Sequence, residues 1–597
     1  MKITPYTILK GFRYLKHYGV KDFWSKLTER MEPEEVPYRS FLEKYLPSKE
    51  ELKKQNQEQS NWGEKLLISV VVPAYRTPEL FLRQMIDSLL EQTYENWQLC
   101  IADGSDDDKV EQIIAECYTN EARIQYKRLK RNEGIAENTN AALLMAEGSY
   151  IGLLDHDDIL APDALYEVAK AIRKDNRIDV LYSDEDKVTT DLKEYFQPHL
   201  KPDFSPDLLR SNNYITHFFV VRRDVLEKAG GFSKEFDGAQ DYDFIFRCTE
   251  LAAAIHHIPK ILYHWRVHKE STADNPASKQ YAFDAGRRAI EAHLKRCQET
   301  ATVENMKDMG FYRVKYNLKK RSLISIIIPN KDEVETLKKC LASIKKSTYD
   351  NYEIIIVENN STMKETFAYY KKLEKEHGAK IQVHYWKDKF NYAAINNFGV
   401  SKAKGEYIIL LNNDIEIITK SWMEEMMSNC QRQGVGIVGA KLYFPDDTIQ
   451  HAGTVIGIGG IAGHVFVGMK RSYSGYFHKA SIQLNYSAVT AACLMVKKSI
   501  YDQLHGMDEK FAVAFNDVDF CLRVRKEGYL IVYHPFVEAY HYESKSRGKE
   551  DSKEKVRRFQ TEIELMRGRW IKILKEGDPF YNKNLTLSKW NYSLKGK

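Results

Sequence analysis

The sequence predicts an α/β protein made of an N-terminal helical segment and two tandem domains, each with a doubly wound, mainly parallel sheet. Short apolar strands alternate with helices that have one apolar face, and the connections are short, which is typical of this fold class. One series of motifs occurs twice, about 256 residues apart, which indicates a duplicated domain. At 597 residues the chain is also too long for a single hydrophobic core.

The composition argues against several classes of protein. The net charge of +5 comes from 89 basic and 84 acidic residues, so we expect no nucleic-acid partner. The 8 cysteines show neither zinc nor disulfide spacing and are expected to be reduced, mostly buried thiols. No apolar run reaches the roughly 18 residues of a membrane-spanning helix, and no signal-peptide pattern is visible. We therefore expect a cytoplasmic protein.

Residues 1–60 are predicted to be helical and to end in a polar linker. Ile8, Phe12 and Leu15 share one helical face, and lysine and arginine are frequent around them. This pattern favours a peripheral contact of residues 1–30 with the inner face of the cell membrane. A helix packed on the first domain explains the same pattern, and this alternative stays open.

The first half contains an apolar strand that ends in a cluster of acids. Ile151 to Leu154 reads as a strand buried in a parallel sheet, and Asp155, His156, Asp157 and Asp158 follow it directly. Open α/β sheets bind their ligands at this end of the strands. Carboxylates this close repel each other unless a cation lies among them, which predicts Mg²⁺ or Mn²⁺ carrying a phosphate ligand. For an isolated motif of this kind, a polar turn is the alternative.

The second half repeats the first in register. The offset between matching residues is 255–257 up to the acidic strand end and 276–277 beyond it, which indicates a duplication with one loop insertion near Gly453–Gly468. The matching pairs are Val72 with Ile328, Asp103 with Glu358, Asp157 with Asp414, Asp241 with Asp517 and His264 with His541. The expected domains are residues 66–297 and 322–560, with a linker at 298–321 and a C-terminal tail at 561–597.

A further acid cluster follows in the first half, at Asp184, Glu185 and Asp186. We expect it to line an acceptor or donor cleft. A solvated loop is the alternative for such a run of acids.

With these motifs in place, each half resembles an inverting family 2 glycosyltransferase of the GT-A fold, of the kind that bacteria use to build surface polysaccharides. The resemblance covers residues 66–297 and 322–560. It rests on a combination: a strand that ends in proline, D-x-S after the second strand, a D-x-D-type strand end, a helix that opens with Q-D-x-D or N-D-x-D, and a late histidine. The stretch DPFYNKNLTL at 578–587 also resembles a tail found after such domains in polysaccharide enzymes.

The resemblance implies a role for each matching residue of the first half. Asp103 would hold the nucleotide base, Asp155 and Asp157 the ribose and the diphosphate-bound metal, and Asp241 would be the general base. The nucleotide-sugar contacts would also include Pro73, Tyr75 and Arg266, and His264 would reach the metal.

In the second half the resemblance implies nucleotide-sugar contacts for Pro329, Glu358 and Asn412. Asp517 would be the general base, and Asp414 and His541 would be the metal ligands. Asn412 and Glu358 depart from the pattern, because each replaces an aspartate. Asp241 and Asp517 stand at predicted helix starts, which favour an ionised carboxylate. They could also simply cap their helices, and His264 and His541 could be structural.

The function implied by the resemblance is a bifunctional inverting glycosyltransferase with a divalent metal cofactor. It would move sugars from UDP- or dTDP-sugar donors to a growing, lipid-linked bacterial surface glycan. A second hypothesis keeps only the first half catalytic and makes the second a glycan-binding or scaffolding module, because of Asn412 and Glu358. A sugar-phosphate nucleotidyltransferase is disfavoured, since Pro73 and Pro329 stand where a glycine-rich loop is expected.

Overall fold

The computed structural model describes residues 36–268, 280–542 and 553–596, with a few single positions between 15 and 27. The chain divides into two compact units. Among the described residues, the first unit comprises Tyr38–Asn317 and Pro579–Leu585, and the second comprises Leu318–Asp578 and the residues from Thr586 onward. The expected membrane contact of residues 1–30 falls almost entirely outside the described residues. Within the described ranges, no helix is both long and apolar enough to cross a membrane.

The first unit contains one large sheet, a separate hairpin and ten α-helices among its described residues. Its strands are β1 (Ile68–Ala74), β2 (Trp97–Asp103), β3 (Ile124–Arg128), β4 (Tyr150–Leu153), β5 (Ile159–Leu160), β6 (Val180–Thr189), β7 (Tyr195–His199), β8 (Phe219–Arg222), β9 (Ile255–Val267), β10 (Ala301–Asn305) and β11 (Tyr312–Tyr316). Its helices are α1 (Tyr38–Tyr45), α2 (Lys49–Ser60), α3 (Glu79–Leu90), α4 (Lys109–Cys117), α5 (Ile135–Leu143), α6 (Ala164–Lys174), α7 (Pro206–Ser211), α8 (Arg223–Ala229), α9 (Gln240–Leu251) and α10 (Gln280–Arg296).

The second unit has a large sheet of the same kind and a small two-stranded one. Its strands are β12 (Ile324–Asn330), β13 (Tyr352–Asn359), β14 (Ile381–Trp386), β15 (Tyr407–Leu411), β16 (Ile415–Ile417), β17 (Val435–Tyr443), β18 (Ile449–His451), β19 (Thr454–Ile456), β20 (Ala462–His464), β21 (Leu484–Tyr486), β22 (Cys493–Lys497) and β23 (Leu530–His541). Its helices are α11 (Val334–Ile344), α12 (Lys364–His377), α13 (Tyr392–Lys402), α14 (Trp422–Cys430), α15 (Lys498–Gln503), α16 (Asn516–Lys526) and α17 (Lys553–Glu576).

The two large sheets have the same strand order. The order is β3-β2-β1-β4-β8-β6-β9-β5 in the first unit and β14-β13-β12-β15-β22-β17-β23-β16 in the second. β1 pairs in parallel with β2 and β4, and β12 pairs in parallel with β13 and β15. β8 and β22 run antiparallel to their neighbours. The predicted pair of α/β domains with mainly parallel sheets is therefore confirmed.

Apolar side chains on both faces of each sheet explain why these strands form. The strand β1 is buried over most of its length, and Leu82, Met85, Ile86 and Leu89 of α3 have no exposed surface. Fully burying one such side chain stabilises the fold by about 1.5–3 kcal/mol. All 8 cysteines are unpaired, and all but Cys117 and Cys297 are buried, as expected for reduced thiols.

The stretch expected as a linker at 298–321 contains an antiparallel hairpin. The strands β10 and β11 pair through Val303 and Val314, both of which are buried. The Tyr312 hydroxyl donates a hydrogen bond of 3.0 Å to the backbone oxygen of Phe283 in α10. Most of this stretch therefore packs as part of the first unit.

The insertion expected in the second half lies between β17 and β22. The connection there spans residues 444–492, about 20 residues more than the corresponding connection at 190–218 between β6 and β8 of the first unit. The extra length includes β19 and β20, which pair with each other outside the large sheet.

Candidate functional site

Three carboxylates meet just after β4 in the first unit. Asp155, Asp157 and Asp158 each offer an oxygen atom, and these atoms lie within 4.8 Å of one another. Asp158 is fully buried and accepts hydrogen bonds from the Tyr263 hydroxyl at 2.5 Å and from the Arg266 backbone N–H at 2.7 Å. Burial raises the pKa of Asp158 well above its usual range and also raises the pKa of Asp155. Sequence reasoning included Asp158 in this cluster but gave it no specific role.

His268 contacts Asp157 of this cluster. Its Nε2 lies 2.7 Å from Oδ2 of Asp157. Burial acts to raise the pKa of Asp157, but the hydrogen bond from His268 and the nearby imidazole of His156 outweigh it and hold the pKa below its ordinary value. Sequence reasoning did not assign His268, although it closes the HWRVH motif that begins at His264.

His264, expected at the metal, pairs with another acid instead. Its Nδ1 lies 2.6 Å from Oδ1 of Asp186, which is its neighbour on β6 in the parallel ladder. The pairing with the neighbouring short strand, β5 in the first unit and β16 in the second, explains why His264 differs from His541. Ile159 of β5 pairs with His264, whereas the matching residue of β16, Glu416, pairs with Tyr540.

His264 and His541 are therefore not equivalent, and the offset of 277 used to match them is one residue too large. In the ladder, His541 matches Trp265. Successive side chains of a strand point to opposite faces of the sheet. A shift of one residue therefore points the imidazole of His264 to the face opposite that of His541.

Arg266 lies behind the acidic turn. Its guanidinium is fully buried, and its Nε donates a hydrogen bond of 2.6 Å to the backbone oxygen of Asp157. Its Nη1 donates to Oε1 of Gln84 at 2.7 Å, and the group stacks 4.4 Å above the Phe81 ring. Its Nη2 is buried without a hydrogen-bond partner among the described residues. The geometry gives Arg266 a role in shaping the acidic turn, and the expected contact with a nucleotide sugar stays a prediction.

Asp103, expected at the nucleotide base, ends β2 and is fully buried. Its Oδ1 accepts hydrogen bonds from the backbone N–H and the hydroxyl of Ser105, at 2.9 and 2.5 Å. Its Oδ2 accepts from the Tyr126 hydroxyl at 2.9 Å. The Ser105 hydroxyl in turn accepts from the backbone N–H of Arg76, so the loops after β1 and β2 are tied together.

Glu358 holds the matching place in the second unit with the same kinds of partners. Its Oε1 accepts from the backbone N–H of Ser361, and its Oε2 accepts from the Ser361 and Tyr370 hydroxyls, each at 2.6 Å. The serine stands three residues after the glutamate, whereas Ser105 stands two residues after Asp103. The longer side chain of Glu358 thus reaches a serine that lies one residue further along the loop.

The proline and tyrosine residues expected at the nucleotide sugar lie at the ends of the first strands. Pro73 belongs to β1 and Pro329 to β12, where they pair with Ala102 and Val357. Tyr75 follows β1 and is 39% exposed. Their placement near the carboxyl ends of the parallel strands agrees with the expected ligand edge.

Asp241 lies in the first turn of α9 and faces the same region as the acidic turn. Its Oδ2 accepts a hydrogen bond of 2.9 Å from Nδ2 of Asn213. Burial raises the pKa of Asp241 above its ordinary value and outweighs the helix start, which would lower it. The charge of Asp241 also contributes to the raised pKa of Asp155, so the two carboxylates are close enough to interact.

The second aspartate of each helix-opening motif has a structural role. Asp243 is buried and accepts from Nε of Arg247 at 2.8 Å and from Arg296 of α10 at 3.3 Å. In the second unit, Asp519 is paired in the same way with Arg523 and with Arg569 of α17. These ion pairs fix the helix that presents the first aspartate of each motif.

His217 is a residue of the first site that sequence reasoning missed. Its Nε2 lies 3.8 Å from Oδ2 of Asp155, its Nδ1 lies 3.1 Å from Oε2 of Glu185, and its ring stacks on Tyr263 at 4.4 Å. Burial would lower the pKa of His217, but the hydrogen bond to Glu185 and the nearby acids outweigh it and raise the pKa to about 9. No motif in the sequence marks this histidine, because its partners are distant along the chain.

The acids at 184–186 are buried residues of β6, so the solvated loop is excluded. Asp184 accepts from Nδ2 of Asn582 in the tail, at 3.0 and 2.9 Å to its two oxygens, and contacts His257 at 2.9 Å. Asp186 accepts from the Tyr38 hydroxyl of α1. Of the three, Glu185 has the contact that leads to the acidic turn, through His217.

In the second unit, Asp414 and His541 face each other at the end of β15. His541 Nε2 lies 3.2 Å from Oδ1 of Asp414, and its Nδ1 lies 2.6 Å from Oε1 of Gln450. Because the glutamine oxygen accepts a hydrogen bond, the proton of a neutral imidazole lies on Nδ1 and the lone pair lies on Nε2. Asn412 contacts the same imidazole at 3.3 Å and accepts from the Tyr392 hydroxyl at 3.1 Å.

Asp517 lies in the first turn of α16 and lines a cavity of about 410 Å³ together with Asn412 and His541. Its Oδ2 accepts a hydrogen bond of 3.2 Å from the backbone N–H of Ala491. Asp517, expected as the base, and His541, expected as a metal ligand, therefore line one cavity, and Asp414 contacts it only through His541.

The donor groups in both units fit a hard divalent cation. The first unit offers three carboxylates within 4.8 Å of one another, with the His268 imidazole beside Asp157. In the second unit, Oδ1 of Asp414 is buried without a hydrogen-bond partner among the described residues, and it points to the lone pair of His541. Carboxylate oxygens with one imidazole nitrogen suit Mg²⁺ or Mn²⁺.

The model of the family described as "Glycosyl transferase family 2" matches residues 69–230 and 325–504, which together exceed half of the chain. The chain belongs to glycosyl transferase family 2. Each matched segment covers the strands that carry the nucleotide-side residues and the acidic strand end of one unit. The chain therefore contains two segments of this family, one in each unit.

Among curated relatives, this family 2 chain is 42% identical over 536 residues to the uncharacterized protein y4gI of Sinorhizobium fredii, a match that covers 88% of the chain and 58% of the relative. It is 36% identical over 532 residues to the O-antigen biosynthesis protein RfbC of Myxococcus xanthus, covering 89% of the chain and 41% of the relative. The chain thus spans about half the length of these relatives.

Among solved structures, the family 2 chain is similar to a fragment of S. aureus TarS in complex with UDP-GlcNAc, with 21% sequence identity and a TM-score of 0.32. The match covers 38% of the family 2 chain and 66% of the TarS chain.

Proposed function

We propose that this family 2 protein is a bifunctional inverting glycosyltransferase, with one transfer site in each unit. The observation that carries the proposal is the repeated placement of a carboxylate at the first turn of α9 and α16 and of an aspartate and histidine pair after β4 and β15. In support of it, the two large sheets have the same strand order, and Asp517 lines one cavity together with His541.

Asp241 and Asp517 are the proposed general bases. Each removes the proton from the attacking acceptor hydroxyl, whose oxygen then bonds to the anomeric carbon while the bond to the diphosphate breaks. With one base opposite the leaving group, a single displacement inverts the anomeric centre. The raised pKa of Asp241 makes its carboxylate a stronger base than that of an exposed aspartate.

Asp155, Asp157 and His268 in the first unit, and Asp414 and His541 in the second, are the proposed metal-binding residues. A divalent cation bound there supplies positive charge that stabilises the departing diphosphate. In the second unit, Gln450 keeps the His541 ring turned towards Asp414, which is the usual task of the hydrogen bond on the far nitrogen of a metal-binding histidine.

Asp103 and Glu358 are the proposed contacts to the nucleotide base, with UDP- or dTDP-sugars as donors. The proposed acceptor is a growing, lipid-linked surface glycan. Support for the acceptor class comes from the name of RfbC, an O-antigen biosynthesis protein, to which the chain is 36% identical. The protein would act on the cytoplasmic side of the membrane.

Single substitutions in the full-length chain test the proposal. Asp241→Asn and Asp517→Asn should each abolish a different one of two transfers from a panel of UDP- and dTDP-sugars, because loss of a general base costs about 10²- to 10⁴-fold. Asp175→Asn and Asp350→Asn are matched controls, since both acids are ion-paired to arginine away from the sites. If one of the two site variants leaves every product unchanged, its unit is not catalytic, and a glycan-binding role becomes the better description of it.

A further inference from the structure

The cavity beside Asp517 is lined by several residues of the second site. Asn412, Asp517 and His541 line it, so the cavity includes the proposed base and the metal-facing side chains. Of the three expected nucleotide-sugar contacts, Pro329 and Glu358 are described by the structure but do not line the cavity, whereas Asn412 does. Its volume of about 410 Å³ falls within the range of pockets that bind small molecules.

Much of the cavity wall comes from the long connection between β17 and β22. This connection spans residues 444–492, whereas the matching connection of the first unit spans only residues 190–218. The wall residues that it supplies include Phe444, Gln450, Ile458, Gly463, His464 and Val467. The insertion therefore forms much of the cavity wall in the second unit. The first unit has no segment of equal length at the matching position.

Trp590 of the C-terminal tail completes the wall. Its indole N–H donates a hydrogen bond of 2.9 Å to the backbone oxygen of Val467, and its own backbone oxygen accepts one of 2.7 Å from Phe466. Tyr592 fixes the tail further, because its ring stacks on Phe466 at 5.1 Å and its hydroxyl lies 3.0 Å from that of Tyr486. The indole is thus held in one orientation, yet 45% of Trp590 is exposed.

An exposed indole fixed at a cavity is matched by an apolar ligand surface. The polar side chains that line the cavity are amides, two hydroxyls, imidazoles and the Asp517 carboxylate, and the cavity has no lysine or arginine among its described lining residues. Phosphate and carboxylate groups are usually bound by arginine or lysine, so this lining does not favour an anionic sugar. It suits an uncharged ring that has one apolar face and several hydroxyls.

We propose that this cavity is the acceptor subsite of the second unit and that it takes an uncharged pyranose residue, with one ring face on Trp590 and the reacting hydroxyl towards Asp517. The inference rests on the proposed function and adds a substrate class and a specificity-determining residue to it. The acceptor oxygen bonds to the anomeric carbon of the nucleotide sugar, its proton goes to Asp517, and the nucleoside diphosphate leaves. Because the insertion is confined to the second unit, the two units take different acceptors.

Ligand-observed saturation-transfer NMR on the full-length chain, with UDP and Mn²⁺ present, tests the subsite directly. The probes are the methyl pyranosides of glucose, galactose, mannose, rhamnose and N-acetylglucosamine, with methyl glucuronide and glucose 6-phosphate as charged counterparts. At least one uncharged probe should bind, and the charged probes should bind at least about tenfold more weakly. Trp590→Ala should weaken binding about tenfold, and Trp590→Phe should restore most of it, because a ring remains available for stacking.

Leu587→Ala is the matched control. Leu587 lies on the same tail, is 41% exposed and is not a lining residue of the cavity, so the variant should bind the probes as the natural chain does. The inference is overturned if no methyl pyranoside binds up to its solubility limit, if the charged probes bind equally well, or if Leu587→Ala and Trp590→Ala act alike. A failure of the proposed function is a separate result, because Asp517→Asn would then leave transfer unchanged whether or not the probes bind.

Discussion

Nε2 of His541 lies 3.2 Å from Oδ1 of Asp414, while Nδ1 of the same ring is hydrogen-bonded to Gln450. The ring is therefore oriented from behind by a residue of the connection that also forms the cavity wall. The pair lies beside the aspartate proposed as the base. In this unit, the proposed metal-binding residues and the proposed acceptor wall both depend on the connection between β17 and β22.

Gln450→Leu should lower the Mn²⁺ affinity of the second unit about 10- to 100-fold, because the His541 ring loses the hydrogen bond that fixes its tautomer and orientation. Electron paramagnetic resonance of Mn²⁺, titrated into an Asp157→Asn chain to weaken the other site, measures the effect. Gln503→Leu, at the exposed end of α15, is the control. Unchanged affinity in Gln450→Leu would remove Gln450 from the metal site.

His268→Ala and His264→Ala should affect different properties. The first should weaken metal binding, and the second should lower stability. We expect His268→Ala to weaken Mn²⁺ binding in the first unit with little effect on the fold, because His268 contacts Asp157 at the end of a strand. His264→Ala should instead leave buried Asp186 with one partner fewer and cost about 1–3 kcal/mol of stability. Metal titration and thermal unfolding of both variants separate the two roles. If His264→Ala alone weakened metal binding, the ladder assignment would fail.

Transfer by the first unit should fall on the acid side at a higher pH than an ordinary aspartate predicts. The base acts as its carboxylate, and burial raises the pKa of Asp241, so activity is lost as the pH falls through that raised value. Asn213→Leu removes a hydrogen bond that lowers this pKa and should move the acid limb further up. The pH dependence of kcat/KM in an Asp517→Asn chain shows both effects. An acid limb that moves down in Asn213→Leu contradicts the assignment.

The stability contributed by His217 should depend on pH in a defined direction. Its pKa rises from 6.5 to about 9 in the fold, so its contribution is fully present below about pH 6.5 and is lost as the pH rises through 9. The difference in free energy of unfolding between the natural chain and His217→Gln should shrink across that range. Urea unfolding at several pH values measures it. A difference that stays constant with pH would mean that His217 is not charged at neutral pH.

Sequence reasoning was sufficient for the duplicated fold, because strand and helix periodicity and motif spacing are local properties of the chain. The acidic strand end at Asp157 and the helix starts at Asp241 and Asp517 were likewise local signals, and the structure places them at the ligand edge of each sheet. The family assignment, first suggested by the combination of these motifs, is confirmed by the family match. Which of these residues act in catalysis stays a prediction.

The rest depended on contacts between distant parts of the chain. His217 meets Glu185 only after β6 and β8 pair, and Trp590 meets Val467 only when the tail folds back on the insertion. The choice between His264 and His268 depended on strand register, which a motif does not reveal. The hairpin in the expected linker was missed because its short, half-polar strands resemble a connecting segment.

The ladder register also bears on how copies of this domain are compared with each other. An alignment that anchors on the letter H of the last strand puts His264 against His541 and sets the two copies out of phase by one position. Every inward side chain of β9 is then matched with an outward side chain of β23. Evolutionary rates or ancestral states inferred along this strand would then combine positions constrained by core packing with positions constrained by ligand binding. An alignment anchored on Asp241 and Asp517 keeps these two kinds of position apart.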